Sequence, residues 1–147
     1  MALTGVYPVY NIVFKIGVKG ASSTTTDMKE IADLESFGLS VDGNVESWTP
    51  MNSQGWSRNL ATGKSFSFDM KGKRNIGDAG NDYVASLAWK DGLDCSTKAE
   101  VTFPDGSKLA FNCVVNVTNP GGGDSTNVTP LEFSLQGDGK PTYTPAA

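Results

Sequence analysis

Polar and apolar residues alternate with a period of two along several stretches of this chain, and each such stretch predicts a half-buried β-strand. In YNIVFKIGV, residues Tyr10, Ile12, Phe14, Ile16 and Val18 fall on one face, with Asn11, Lys15 and Gly17 on the other. KSFSFDMKGK (64–73) alternates most cleanly, setting Phe66, Phe68 and Met70 against Ser65, Ser67, Asp69 and Lys71. VTPLEFSLQ (128–136) repeats the pattern with Leu131, Phe133 and Leu135 inward. EIADLESFGLSV (30–41) is extended but mixed: Ala32, Leu34 and Ser36 share one face, and Ile31, Asp33, Glu35 and Phe37 the other. Asp42-Gly43 tolerates positive φ, so a hairpin is expected to turn near 42–44 and return through 45–48.

DCSTKAEVTFPDGSKLAFNCVVNVT (94–118) predicts a long hairpin closed by Pro104-Asp105-Gly106, a type I turn followed by a glycine bulge. That register pairs Phe103 with Ser107, Val101 with Leu109, Ala99 with Phe111 and Thr97 with Cys113. Cys95 then falls one diagonal step from Cys113, too far for a relaxed disulfide, so two buried thiols are expected. The period changes once. IGDAGNDYVASLAWKDG (76–92) carries an apolar stripe of Ile76, Ala79, Tyr83, Val84, Leu87 and Ala88, with Asp78 as N-cap and Gly92 past the C-terminus. The remaining segments, 20–30, 49–57 and 119–127, read as loops. The second of these holds Met51 and Trp56 with Trp48 at its edge: either a binding surface or side chains folded back on the core.

The pattern predicts a mostly β fold, a sandwich or barrel of about six to eight strands with one flanking α-helix at about 79–90. The 147 residues suit a single domain over 1–147, with extended arms at about 1–9 and 137–147. The 17 glycines and 7 prolines fit a fold with many turns. MALTGVYPVY has neither a basic nor an apolar leader region, and no apolar run is long enough to span a membrane, so a cytoplasmic origin and reduced thiols are expected.

Charge and chemistry narrow the function. A net charge of −4 argues against tight phosphate binding. The chain has no histidine and two cysteines, which leaves no zinc set and removes the commonest general base. Gly63-Lys64-Ser65 imitates the end of a phosphate-binding loop, but Arg58 stands where the first glycine belongs, and a strand follows where a helix is needed. The loop GGGDST (121–126) lacks calcium-loop spacing and reads as a connector. Phe66, Phe68, Phe103 and Phe111 are aromatic enough for a base-stacking platform, but they alternate with polar residues and no basic stripe accompanies them. Asp33 and Glu35, two apart on one strand face, are a conceivable acid/base pair, though such pairs are more often solvated surface. No catalytic, cofactor or metal residue is assigned.

The run ESFGLSVDGNVESWTPMNSQGWSRNLATGKSFSFDMKGKR (35–74), then GDAGNDYVAS (77–86) and NVTNPGGGDSTNVTPLEFSLQGDGKPTYT (116–144), resembles the major tail tube proteins of long-tailed bacteriophages and related phage-tail-like particles. The likeness lies in the order of elements and carries no catalytic signature. It implies a β-sandwich with one helix, six copies to a ring, and rings stacked around a tape-measure protein into a conduit for DNA. The partners it implies are tail terminator and baseplate or initiator proteins and, in contractile tails, a sheath. DNA would pass without tight binding, no membrane would be bound, and the protein would reside in the virion tail after assembly in the host cytoplasm. Assembly contacts are expected at Trp48, Met51, Gln54, Trp56 and Arg58, and Asp33 and Glu35 are the candidate lumen acids. Two readings compete: a binding module for carbohydrate or protein using Trp48, Met51 and Trp56, and a hydrolase using Asp33 and Glu35.

Overall fold

A computed structural model describes residues 4–146. Eight strands form one antiparallel sheet: β1 (Val13–Gly17), β2 (Met28–Glu30), β3 (Leu34–Trp48), β4 (Arg58–Lys73), β5 (Ser96–Thr102), β6 (Lys108–Asn119), β7 (Pro130–Gly137) and β8 (Thr142–Thr144). The strand order is β2-β1-β5-β6-β7-β4-β3, with β8 added to β6 beyond the end of β7. The sheet is rolled but not closed. Its far ends meet through side chains, the ring of Phe14 on β1 lying edge-on to that of Phe37 on β3 with centroids 4.7 Å apart.

The roll encloses the core that the alternation predicts. Phe66, Phe68 and Met70 of β4 are buried with Leu131, Phe133 and Leu135 of β7 and with Val101, Phe111, Cys113 and Val115 of the β5–β6 hairpin. Phe68 stacks on Phe111 at 5.1 Å, and Phe66 meets the same ring edge-on at 5.1 Å. Such pairs add to area burial by about 0.5–1.5 kcal/mol each. The β5–β6 register is the expected one, from Thr97 opposite Cys113 to Val101 opposite Leu109. The turn is closed by Gly106 at φ 94° and by Asp105, which accepts bonds from the Ser107 N–H and hydroxyl. Both cysteines are free and buried, although Cys95 lies in a 3-10 turn just before β5 rather than in the ladder.

The helix α1 (Ala79–Ser86) is capped by Asp78, which accepts from the Asn81 N–H, and is continued by a 3-10 turn at Leu87–Trp89. It is therefore close to the expected span. Its buried residues include Val84 and Ala85, with Leu87 just beyond, whereas Ile76 precedes it and is exposed. Asn81, fully buried, ties the helix to the sheet. Its amide donates to the carbonyls of Ala32 (3.1 Å) and Lys73 (2.9 Å), and its oxygen accepts from Arg74 and from the Asn75 N–H, each at 3.0 Å. Every polar atom of this buried side chain is thus used.

Several expectations are corrected. No turn occurs at 42–44: Asp42, Gly43 and Asn44 pair with Ser65, Lys64 and Gly63 in mid-ladder. The positive φ values that precede the return strand belong to Gln54 and Gly55, at 55° and 89°. Hence β4 begins at Arg58, not at Lys64. Asp33 and Glu35 do not share a strand face. Asp33 precedes β3 with φ 60°, and a register irregularity between Leu34 and Ser36 leaves Glu35 without a cross-strand partner. The extra residue shifts the period-2 parity, so Leu34 and Phe37, expected on opposite faces, both pack on the core. Met28–Glu30, inside an expected loop, forms β2, and Thr142–Thr144, inside the expected C-terminal arm, forms β8. Tyr10 lies in an exposed 3-10 turn instead of the β1 face. Of the N-terminal arm, residues 4–8 are exposed and outside any strand; residues 1–3, and residue 147 at the other end, lie outside the described residues.

Candidate functional site

The β3–β4 hairpin is much longer than the sheet that carries it. Its ladder runs from Leu34 opposite Gly72 to Trp48 opposite Arg58. β7 flanks β4 only from Ser67 to Lys73. Beyond that point the hairpin leaves the body as a two-stranded ribbon, and between 38 and 65 no residue is buried. A free two-stranded ribbon is marginal in water, so this one depends on local ties. Asn44 Nδ2 donates to Thr62 Oγ1 at 2.8 Å, and the Ser47 hydroxyl donates to Asn59 Oδ1.

The ribbon ends in a tight turn that the sequence places as a loop at 49–57. A 3-10 turn at Met51–Ser53 is followed by Gln54 and Gly55 with positive φ. The Ser53 Oγ lies 2.8 Å from the Pro50 carbonyl oxygen and 2.7 Å from that of Trp56, so its one hydroxyl proton is shared between the two and ties the turn. The turn holds Met51 and Trp56 out, at 103% and 78% exposure. Trp48 is 41% exposed, with the Arg58 guanidinium 5.5 Å above its ring. The tip therefore brings Trp48, Met51, Gln54, Trp56 and Arg58 together at one projecting end, and none of them folds back on the core. The tip thus sets three large apolar side chains in solvent at one projecting end of the molecule.

Asp33 and Glu35 lie at the other end of β3, beside the helix. Asp33 accepts from Asn75 Nδ2 at 2.6 Å, and Glu35 pairs with Lys73 at 3.1 Å. Both carboxylates are engaged in holding the start of β3 to the end of β4. Asp82, in the first turn of α1, is held below the usual carboxylate range by its bond to Arg74 Nη1 at 2.7 Å and by the Gly77 N–H. Among the described residues no three ligand-type side chains gather as a metal site, and no helix is long and apolar enough to cross a membrane. Gly63-Lys64-Ser65 is extended ladder backbone within the ribbon, with no helix N-terminus beyond it.

Sequence reasoning missed a second surface. At the base of the ribbon the hairpin diverges from β6 and β8 and leaves a cleft of about 690 Å³ between Leu39, Val41 and Phe66 on one wall and Leu109, Pro141 and Tyr143 on the other. No local signal marked it, because β8, which forms one wall, is only three residues long.

No family model and no curated protein matches the chain. Solved structures do. The chain is similar to one from the tail of an empty gene transfer agent particle with C6 symmetry, at 16% identity and TM-score 0.72, over 95% of this chain and all of that one. It is similar to one from the virion of a native gene transfer agent particle, at 16% identity and TM-score 0.69, with the same coverage. It is also similar to the tube-terminating cap of an anti-feeding prophage, at 10% identity and TM-score 0.61, over 98% of this chain and 94% of that one. This chain has the fold of those tail and cap components.

Proposed function

We propose that this chain is a non-catalytic structural subunit of a phage or phage-like tail, and that its copies assemble into six-membered rings that stack as a hollow tube. The observation that carries the reading is the projecting hairpin with its uncovered Trp48, Met51 and Trp56, on a fold similar over 95% of its length to a chain of a six-fold tail. An isolated domain gains nothing from an apolar knob at the end of a long ribbon, whereas a subunit that meets its neighbours there does. Gln54 and Arg58 flank the anchors and complete the contact. The outer edges of β2 and β3, the end strands of the sheet, are natural ring contacts for the same reason.

The tube would be built around a tape-measure protein, between initiator and terminator proteins, and would pass DNA without holding it. The net charge of −4 supports this, because a like-charged wall repels phosphate and lets a polymer slide. Asp33 and Glu35 add their charge to that field, although each already has a partner. The location that follows is the virion tail.

Negative-stain microscopy of the concentrated protein tests the reading, with rings or tubes of six-fold symmetry as the expected result. A monomer at every concentration that binds a sugar or peptide saturably through Trp48, Met51 and Trp56 would reject it in favour of a binding module.

A further inference from the structure

The sheet forks where β7 ends. Up to Ser67 opposite Gln136, β4 and β7 are hydrogen-bonded neighbours. Past that point β4 keeps only β3 as a ladder partner, and β8 takes up the edge of β6. The edge of β4 that faces β8, over residues 58–66, has no ladder partner, nor does the outer edge of β8. Between them lies the apolar cleft of about 690 Å³. Its two charged lining residues, Lys64 and Lys140, form no ion pair among the described residues. A cleft with apolar walls, open backbone edges and two free ammonium groups fits an apolar segment that brings a carboxylate.

We infer that this cleft is the socket for the hairpin tip of a second copy of the same chain. The inference rests on the tail-subunit reading and names the surface that the tip meets. The tip supplies the matching chemistry. Trp48, Met51 and Trp56 are the apolar anchors, and Glu46, two residues from Trp48, is a carboxylate without an ion pair among the described residues. Each indole carries about 150–250 Å² of surface to be buried, enough for a hot spot but less than a whole interface. A chain cannot fill its own socket. The tip is separated from Phe66 by eight residues of paired strand, roughly 26 Å at 3.3 Å per residue. Closing that distance would break the ladder. Knob and socket therefore lie on different parts of one molecule and join head to tail, a geometry that propagates instead of stopping at a pair. Glu46 of one copy then sits by Lys64 and Lys140 of the next, which fixes the orientation of the tip.

Mixing two single-cysteine additions tests this in the otherwise intact chain, since the native thiols are buried. Met51→Cys protein is mixed with Tyr143→Cys protein under mild oxidation. A disulfide-linked dimer of one copy of each is expected at yields well above those of either variant alone. Its absence overturns the socket whether or not tubes form. Tubes without the mixed link would leave the tail reading standing and remove only this inference. A charge exchange gives an independent readout. Lys64→Glu with Lys140→Glu should raise the protein concentration needed for association by about tenfold, and adding Glu46→Lys to the same chain should restore it. An unchanged threshold, or no rescue, counts against the pairing.

Discussion

The Cys113 thiol lies in the middle of β6, facing the core, and its pKa is pushed up to about 12 by burial, with the charge of Asp138 adding to the effect. Raising the pKa suppresses the thiolate, so Cys113 stays a thiol at neutral and mildly alkaline pH. Cys95 is also buried, and its thiol donates to the Lys90 carbonyl at 3.3 Å. Neither thiol should react with a maleimide in the native protein between pH 7 and 9, and both should react once urea unfolds the chain. Prompt labelling of folded protein would refute the buried placement. For Cys113 that placement was legible because Pro104-Asp105-Gly106 sets the β5–β6 register, whereas Cys95 is buried from a 3-10 turn that precedes the ladder. Asp33 and Glu35 were misread because one unpaired residue at Glu35 reverses every facing that alternation assigns. Asn81 gave no signal either: its partner Ala32 is 49 positions away, and nothing local marks an asparagine as buried.

At the scale of elements, the seat of α1 on the sheet is a close backbone contact that the sequence did not announce. Gly80 faces the end of β2 so closely that a Cβ there would lie 2.5 Å from the Glu30 carbonyl oxygen and 3.2 Å from the Ile31 Cα. Two effects of Gly80→Ala oppose each other. Helix propensity alone would stabilise by about 1 kcal/mol. The clash is with backbone, which cannot swing aside, and overpacking of this kind costs roughly 1–3 kcal/mol. The clash should win, lowering the urea midpoint and loosening the Asn81 bonds to Ala32 and Lys73. A raised midpoint would show that the helix is free to shift. The helix itself was readable from its cap, stripe and terminal glycine, and the clean strands from their alternation. The β3–β4 turn was not, because Asp42-Gly43 carries strong turn chemistry while the ladder across from it, tied by Asn44 and Thr62, keeps the chain extended. Propensity lost there to pairing. The two shortest strands, β2 and β8, are three residues each, too brief for any period to show.

At the scale of the molecule, the buried core and the region proposed for assembly are separate. Among the described residues the buried apolar side chains lie in the rolled sheet, its helix and the short segments that adjoin them, and none lies between residues 38 and 65. The ribbon and its tip thus add little to folding while presenting Trp48, Met51 and Trp56 to solvent. Replacing residues 49–57 by Asn-Gly, a two-residue hairpin turn that matches strand twist, keeps Trp48 opposite Arg58 and removes Met51, Gln54 and Trp56. If the tip serves the fold, thermal unfolding should fall by several degrees for each kcal/mol lost. If it serves assembly, the unfolding temperature should stay within about 2 °C, while sedimentation should report monomer at concentrations where the full chain polymerises. The burial pattern favours the second outcome, because the segment removed has no core contact to lose. Long tubes formed by the shortened chain would show that the exposed anchors are dispensable, and assembly would then have to rest on the sheet edges alone.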